Sequence, residues 1–244
     1  MCHSDESRPP ASPRKGEVAA HGPLTLAAAD HTVFDAYEAH PATPSTRGIV
    51  ILPDIRGLHE YYKDLAIRFA EAGFHAVAFD YYTRTAGRGD RSEAFDFMPH
   101  FQQSKPEHVT ADVRACVDHL RSFGVRSVFT LGFCFGGSNS WRQSAAIDGL
   151  AGCVGFYGRA TGVTDVEESL HAPLLLLLAG ADQSIAPSDF DAPLERLAKR
   201  GVYAERHVYD GAPHSFFDRS FAEHRDACSD AWNRILAFTD RFAE

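Results

Sequence analysis

A cysteine stands between two closely spaced glycines in Gly132-Phe133-Cys134-Phe135-Gly136, directly after an apolar run at residues 127–131. The run has the length and composition of a buried strand, and residues from about 137 onward can open a helix. The pattern G-x-C-x-G between a strand and a helix is that of a nucleophile elbow, with cysteine in the place of serine. Such an elbow requires a sheet whose strand ends in a sharp, strained turn that exposes one side chain. The alternative interpretation is a small core cysteine between two turn glycines.

Strand-like apolar runs alternate with amphipathic segments along most of the chain. This alternation predicts the α/β class, with a mostly parallel, doubly wound sheet and helices on both faces. Residues 24–39 predict an N-terminal β-hairpin. The remaining strands are predicted at 48–52, 75–79, 127–131, 150–156, 173–179 and 203–209, and the main helices at 61–72, 109–123, 188–200 and 219–242.

Length and composition favour a single α/β domain over residues 23–244. The chain has 244 residues, 44% of them apolar, and residues 1–22 are poor in large apolar side chains, so we expect a disordered tail there. The net charge of -9 argues against nucleic acid or an anionic membrane as a partner. No apolar run approaches the roughly 18 residues of a membrane-spanning helix. Five cysteines without a C-x-x-C pair predict free thiols and a cytoplasmic location.

An acid and a histidine follow the elbow, each in a loop after a later predicted strand. Asp182 follows the strand at 173–179, and His214 follows the strand at 203–209. The chain order Cys134, Asp182, His214 is the nucleophile–acid–histidine order of α/β-hydrolases, whose sites gather at the carboxyl ends of the strands. An imidazole can take the thiol proton, and a carboxylate on its far nitrogen fixes the tautomer. The three residues therefore predict a catalytic triad.

Two backbone N–H groups are predicted to form the oxyanion hole of this triad. One belongs to Phe135, the residue after the nucleophile, and the other to Ile55, in the loop after the strand at 48–52. The remaining histidines show no metal-ligand spacing, and no phosphate-binding loop is present. We therefore expect no metal site.

The chain resembles the dienelactone hydrolase family over about residues 24–242, which implies an α/β-hydrolase fold. The resemblance further implies a cofactor-free, cytoplasmic monomer whose partner is a small-molecule lactone or ester, cleaved through a thiol acyl-enzyme at Cys134. The best-known member opens dienelactone to maleylacetate in chloroaromatic degradation. The likeness rests on the segments 52–58, 79–84, 132–137 and 213–216.

The resemblance also assigns roles outside the triad. Arg84 matches an arginine that binds the substrate carboxylate, and a planar guanidinium suits that task. The family places a glutamate after its first long strand to hold the resting cysteine, and this chain has Asp54 there. A second family arginine, four residues after the histidine, is replaced by Asp218, with Arg219 next. Either Arg219 substitutes for it, or the substrate is not the same anionic lactone.

Two other functions stay open at this point. Cys-His-acid sites also cleave amides, so an amide or acyl hydrolase is a second enzymatic possibility. The departures at Asp54 and Asp218 leave room for a catalytically weakened ligand-binding or sensor protein on the same fold.

Overall fold

The computed structural model describes residues 4–218 and 220–244, and it forms an eight-stranded sheet in the order β1-β2-β4-β3-β5-β6-β7-β8. The strands from β3 to β8 run parallel, whereas β1 pairs antiparallel with β2 and β2 with β4. This confirms the predicted α/β-hydrolase fold and its N-terminal hairpin. The strands are β1 (Val18–Ala27), β2 (Val33–Pro41), β3 (Arg47–Leu52), β4 (His75–Phe79), β5 (Ser127–Phe133), β6 (Leu150–Phe156), β7 (Leu174–Ala179) and β8 (Ala204–Tyr209).

Helices follow most of the parallel strands. The predicted helix at 188–200 starts as a 3-10 turn, and the last helix begins six residues later than predicted. None of the helices in the described ranges is long and apolar enough to cross a bilayer. The helices are α1 (Glu60–Glu71), α2 (Thr83–Ala86), α3 (Met98–Phe101), α4 (Pro106–Ser122), α5 (Phe135–Ala146), α6 (Thr161–Thr164), α7 (Asp191–Lys199) and α8 (Arg225–Phe242), with 3-10 turns at Glu167–Ser169 and Pro187–Phe190.

Helices cover both faces of the sheet, so the central strands are buried on both sides. In β3, Ile49 and Ile51 pack with residues of α1 and α8, whereas Val50 and Leu52 pack with residues of α4, α5 and α7. All four side chains are fully buried. Because both faces are covered, the sequences of these strands are continuously apolar rather than alternating between apolar and polar residues. The carboxyl edge of the sheet is left to the loops that carry the candidate site.

The N-terminal segment corrects the prediction of a disordered tail through residue 22. Strand β1 already begins at Val18. Before it, the indole Nε1 of Trp232 donates to the Pro10 carbonyl at 3.2 Å, and the Gly16 N–H donates to the Glu71 carbonyl at 2.7 Å. Composition misled the prediction because hydrogen bonds to α1 and α8, rather than large apolar side chains, hold this segment.

Candidate active site

The elbow between β5 and α5 is a turn in which Cys134 adopts φ 54° and ψ −111°. A positive φ is unfavourable for a residue with a Cβ, so the surrounding backbone must impose it. A Cβ on Gly132 would lie 2.0 Å from the Gly136 carbonyl oxygen, and one on Gly136 would lie 2.1 Å from that of Leu52. The Cys134 N–H donates to the Phe156 carbonyl at 3.0 Å. Close contact among β3, the elbow and β6 thus fixes the thiol at the carboxyl edge.

Asp182 and His214 meet beside the elbow, although 32 residues separate them. His214 Nδ1 lies 2.6 Å from Asp182 Oδ2. The Asp182 side chain is 2% exposed, and its other oxygen accepts two backbone N–H groups at 2.9 and 3.2 Å. The Gly180 N–H donates to the Tyr209 carbonyl at 2.9 Å, which holds the two loops together. Since a carboxylate only accepts, the proton of a neutral His214 belongs on Nδ1, and Nε2 is left as the base.

Cys134 and His214 line the same cavity, of about 540 Å³, which we call the catalytic cavity. This volume suits a small organic molecule. Phe101, from the long segment between β4 and α4, also lines it, and its ring packs edge-on against Phe135 at 5.2 Å between centroids. Within residues 4–218 and 220–244, no group of three or more His, Cys, Asp or Glu side chains is arranged to hold a metal ion.

Both predicted oxyanion donors, Phe135 and Ile55, line the catalytic cavity. Phe135 is the first residue of α5, so its N–H has no intrahelical acceptor. The Ile55 N–H makes no hydrogen bond to any other described residue. The Tyr82 hydroxyl donates to the Ile55 carbonyl and thereby orients this loop. The two N–H groups are available to a ligand in the cavity.

Asp54 directly precedes Ile55 in the loop after β3, and it is not among the residues that line the catalytic cavity. The residue is fully buried, and its Oδ1 accepts the Arg56 N–H at 2.8 Å. Its own N–H donates to the Tyr62 hydroxyl at 3.1 Å. Asp54 therefore shapes the loop that carries Ile55, and its predicted control of the thiol stays a prediction.

Arg84 is not brought to the catalytic cavity either. Its guanidinium contacts Asp112 Oδ1 at 2.5 Å and also binds Asp30, at the turn between β1 and β2. The Arg84 and Asp112 side chains are only 11% and 2% exposed. The arginine thus ties α2 to α4 and to the hairpin, and this arrangement does not present it to a substrate at Cys134. Arg219, the predicted substitute for the second family arginine, lies outside the described residues.

Tyr157 is a site residue that the sequence reasoning missed. It follows β6 with φ 33°, lines the cavity, and places its ring 4.8 Å from that of His214. Its hydroxyl donates to Asp218 Oδ2 at 3.0 Å. Burial and the Asp218 carboxylate raise the pKa of Tyr157, so its hydroxyl stays protonated. A large aromatic residue at the carboxyl end of the strand predicted at 150–156 was the available signal.

Comparisons with known proteins identify the family and the fold of this chain. The model of the dienelactone hydrolase family matches residues 34–243. An Escherichia coli (strain K12) protein, provisionally named carboxymethylenebutenolidase, is 27% identical over 210 residues, which cover 80% of this chain and 76% of that protein. A provisionally named dienelactone hydrolase from Klebsiella pneumoniae subsp. pneumoniae MGH 78578 superposes with a TM-score of 0.77 and 26% identity over 91% of this chain and 100% of that one. The dienelactone hydrolase-like promiscuous phosphotriesterase P91, from metagenomic libraries, has a TM-score of 0.75 over 93% of this chain and 100% of that one, and at 20% identity this likeness concerns the fold alone.

Proposed function

The chain belongs to the dienelactone hydrolase family, and from this premise we propose that it hydrolyses lactones or carboxylic esters through a thioester formed on Cys134. The observation that carries the proposal is one cavity with a thiol on a strained elbow and a histidine held 2.6 Å from a buried carboxylate. Nucleophile, base and orienting acid are the parts that acyl transfer requires.

The reaction begins when His214 Nε2 takes the thiol proton and the Cys134 sulfur attacks the acyl carbon. The negative charge then develops on the former carbonyl oxygen, where the N–H groups of Phe135 and Ile55 stabilise it. Collapse of this intermediate breaks the C–O bond, and the imidazolium returns its proton to the leaving alkoxide. Asp182 stabilises the imidazolium while it exists.

Hydrolysis of the thioester repeats these steps with water. His214 removes a proton from the water as its oxygen attacks the thioester carbon, and the same two N–H groups stabilise the second oxyanion. The thiolate leaves, takes the proton back from His214, and the carboxylic acid departs. In a lactone the hydroxyl group and the acid remain in one molecule, so a single product leaves the cavity.

The test is Cys134→Ala, assayed on 4-nitrophenyl acetate, dihydrocoumarin and the cis- and trans-dienelactones. We expect kcat/KM to fall by about 10³ or more, because only the oxyanion hole and binding remain. Cys116→Ala is the matched control, since Cys116 is a fully buried cysteine in α4 outside the cavity. Mass spectrometry of the quenched wild-type reaction should find the acyl group on the peptide that contains Cys134. Full ester hydrolysis by Cys134→Ala would overturn the proposal.

Two further assays of the wild-type protein separate the amide-hydrolase and sensor alternatives from the proposal. Faster turnover of anilides than of matched esters would favour an amide hydrolase. Stoichiometric labelling of Cys134 by iodoacetamide, with no turnover of any ester, lactone or amide, would favour a sensor.

A further inference from the structure

The walls of the catalytic cavity are positively charged, in contrast to the rest of the molecule. The chain carries a net charge of -9. Yet the described residues that line the cavity include Lys105, Arg142 and Arg159, and no aspartate or glutamate. A cavity with walls of one charge sign attracts ligands of the opposite sign, because the protein walls concentrate the field. The three cations differ in how far their charge is already neutralised.

Arg142 is engaged within the protein. One of its guanidinium nitrogens donates to the Thr161 carbonyl at 3.0 Å and also binds the Asp165 carboxylate. This pairing neutralises its charge and fixes its side chain against α6. Lys105 and Arg159, in contrast, are exposed at the cavity and form no ion pair with any described residue.

The backbone of Arg159 is fixed relative to the thiol. Its N–H donates to Ser138 Oγ at 2.8 Å, and the Ser138 N–H donates to the Cys134 carbonyl at 3.2 Å. The preceding residue, Gly158, packs so closely that a Cβ there would lie 2.5 Å from the Ser138 nitrogen. One serine in the first turn of α5 thus links the arginine to the nucleophile. The side chain of Arg159 therefore starts from a defined point on the wall of the cavity that Cys134 also lines.

We propose that Arg159, assisted by Lys105, determines specificity by binding a carboxylate or other anionic group on the substrate. This inference rests on the proposed hydrolase function and locates the anion contact on the loop after β6, not at Arg84. A guanidinium offers two parallel N–H donors to a carboxylate, whereas the Lys105 ammonium adds a point charge from the start of α4.

The first experiment compares two esters of similar size that differ in charge, 4-nitrophenyl hemiglutarate and 4-nitrophenyl pentanoate. Arg159→Ala should lower kcat/KM for the anionic ester about tenfold relative to the neutral one, equivalent to about 1.4 kcal/mol, mainly through KM. Arg159→Lys should recover part of the loss. Arg225→Ala is the matched control, because it removes the same charge from an exposed site outside the cavity. Equal losses on both esters, or none, would overturn the inference.

The second experiment needs no substrate turnover. Iodoacetate and iodoacetamide both alkylate a thiolate with loss of iodide, but only iodoacetate is an anion. Peptide mapping at Cys134 gives the rate of alkylation by iodoacetate divided by the rate by iodoacetamide. Arg159→Ala and Lys105→Gln should each lower this ratio several-fold. Added salt should lower it in the wild type. If both variants keep the wild-type ratio, the inference about Arg159 is overturned. This holds even if Cys134→Ala has lost activity and thereby supports the hydrolase proposal. If Cys134→Ala remains active, the hydrolase proposal fails, whatever the alkylation ratio.

Discussion

Gly136→Ala should separate the geometry of the elbow from the chemistry proposed for it, because it leaves Cys134, Asp182 and His214 unchanged and adds a single methyl group. The new Cβ would lie 2.1 Å from the Leu52 carbonyl oxygen and 2.2 Å from that of Pro53. Contacts below 3.0 Å are essentially never seen, so these carbonyls would have to retreat by about 0.9 and 0.8 Å. Pro53 stands two residues before Ile55, so the shift moves the loop that carries the proposed oxyanion donor, the Ile55 N–H.

Two effects of different size follow from this displacement. Overpacking of this kind costs about 1–3 kcal/mol, which lowers Tm by roughly 2–12 °C in a domain of this size and leaves it folded at 25 °C. A displaced oxyanion donor costs about 10²–10³ in kcat. The loss of activity should therefore far exceed any loss of folded protein.

The assay combines thermal unfolding, followed by circular dichroism, with kcat on a 4-nitrophenyl ester. Gly22→Ala is the matched control, because a Cβ there meets nothing within 4 Å. It should leave both Tm and kcat nearly unchanged. If Gly136→Ala keeps kcat within threefold of the wild type, the reasoning is refuted. The close contact of Gly136 with the Leu52 and Pro53 carbonyls then does not position the Ile55 N–H for catalysis.

Three further outcomes are expected. Arg84→Ala leaves the buried Asp112 carboxylate without its arginine and should cost about 3 kcal/mol in urea unfolding; a changed preference between anionic and neutral esters would instead restore Arg84 as a substrate anchor. Asp5→Ala removes a carboxylate that contacts His59 at 2.7 Å, and His59 lies in the segment after Ile55. Loss of this contact should loosen the loop that carries Ile55 and lower kcat about threefold, with little change in Tm. An unchanged kcat would mean that the N-terminal segment does not position the Ile55 loop. Burial lowers the pKa of His75 in the folded protein, so the unfolded chain binds a proton at His75 more readily. The free energy of unfolding should therefore fall as the pH drops from 7 to 5, and His75→Gln should reduce that fall. An identical pH dependence in the two proteins would contradict the reasoning.

The sequence was sufficient for those parts of the site that a parallel sheet positions. Cys134, Asp182 and His214 each follow a strand, and the parallel pairing of β5 through β8 brings the ends of these strands to one edge. The strands themselves were evident because burial on both faces makes them uniformly apolar. Strand order and loop position were therefore enough to predict which side chains would meet.

The sequence was not sufficient where a side chain's partner comes from a distant element. The resemblance to the family predicted Arg84 as a substrate contact, but Asp30 and Asp112, from the hairpin and α4, bind its guanidinium. Likewise, the carbonyl of Pro10 is held by the indole of Trp232, 222 residues away. Neither partner is detectable in local composition or periodicity, because each depends on the tertiary packing of helices on the sheet.

The contrast between residues that the sheet positions and residues that loops carry bears on how substrate preference can vary in this fold. Cys134, Asp182 and His214 lie where the sheet places the ends of its strands, and the glycines around the elbow permit almost no backbone change. Two cations of the cavity, Arg159 after β6 and Lys105 before α4, instead have exposed side chains and form no ion pair with any described residue. Their replacement costs little stability, because exposed charges without ion pairs contribute little to folding. On the proposed function, charge preference would change at these two positions while the acyl chemistry proposed for Cys134 is kept, so a match to the family would predict the reaction better than it predicts the substrate.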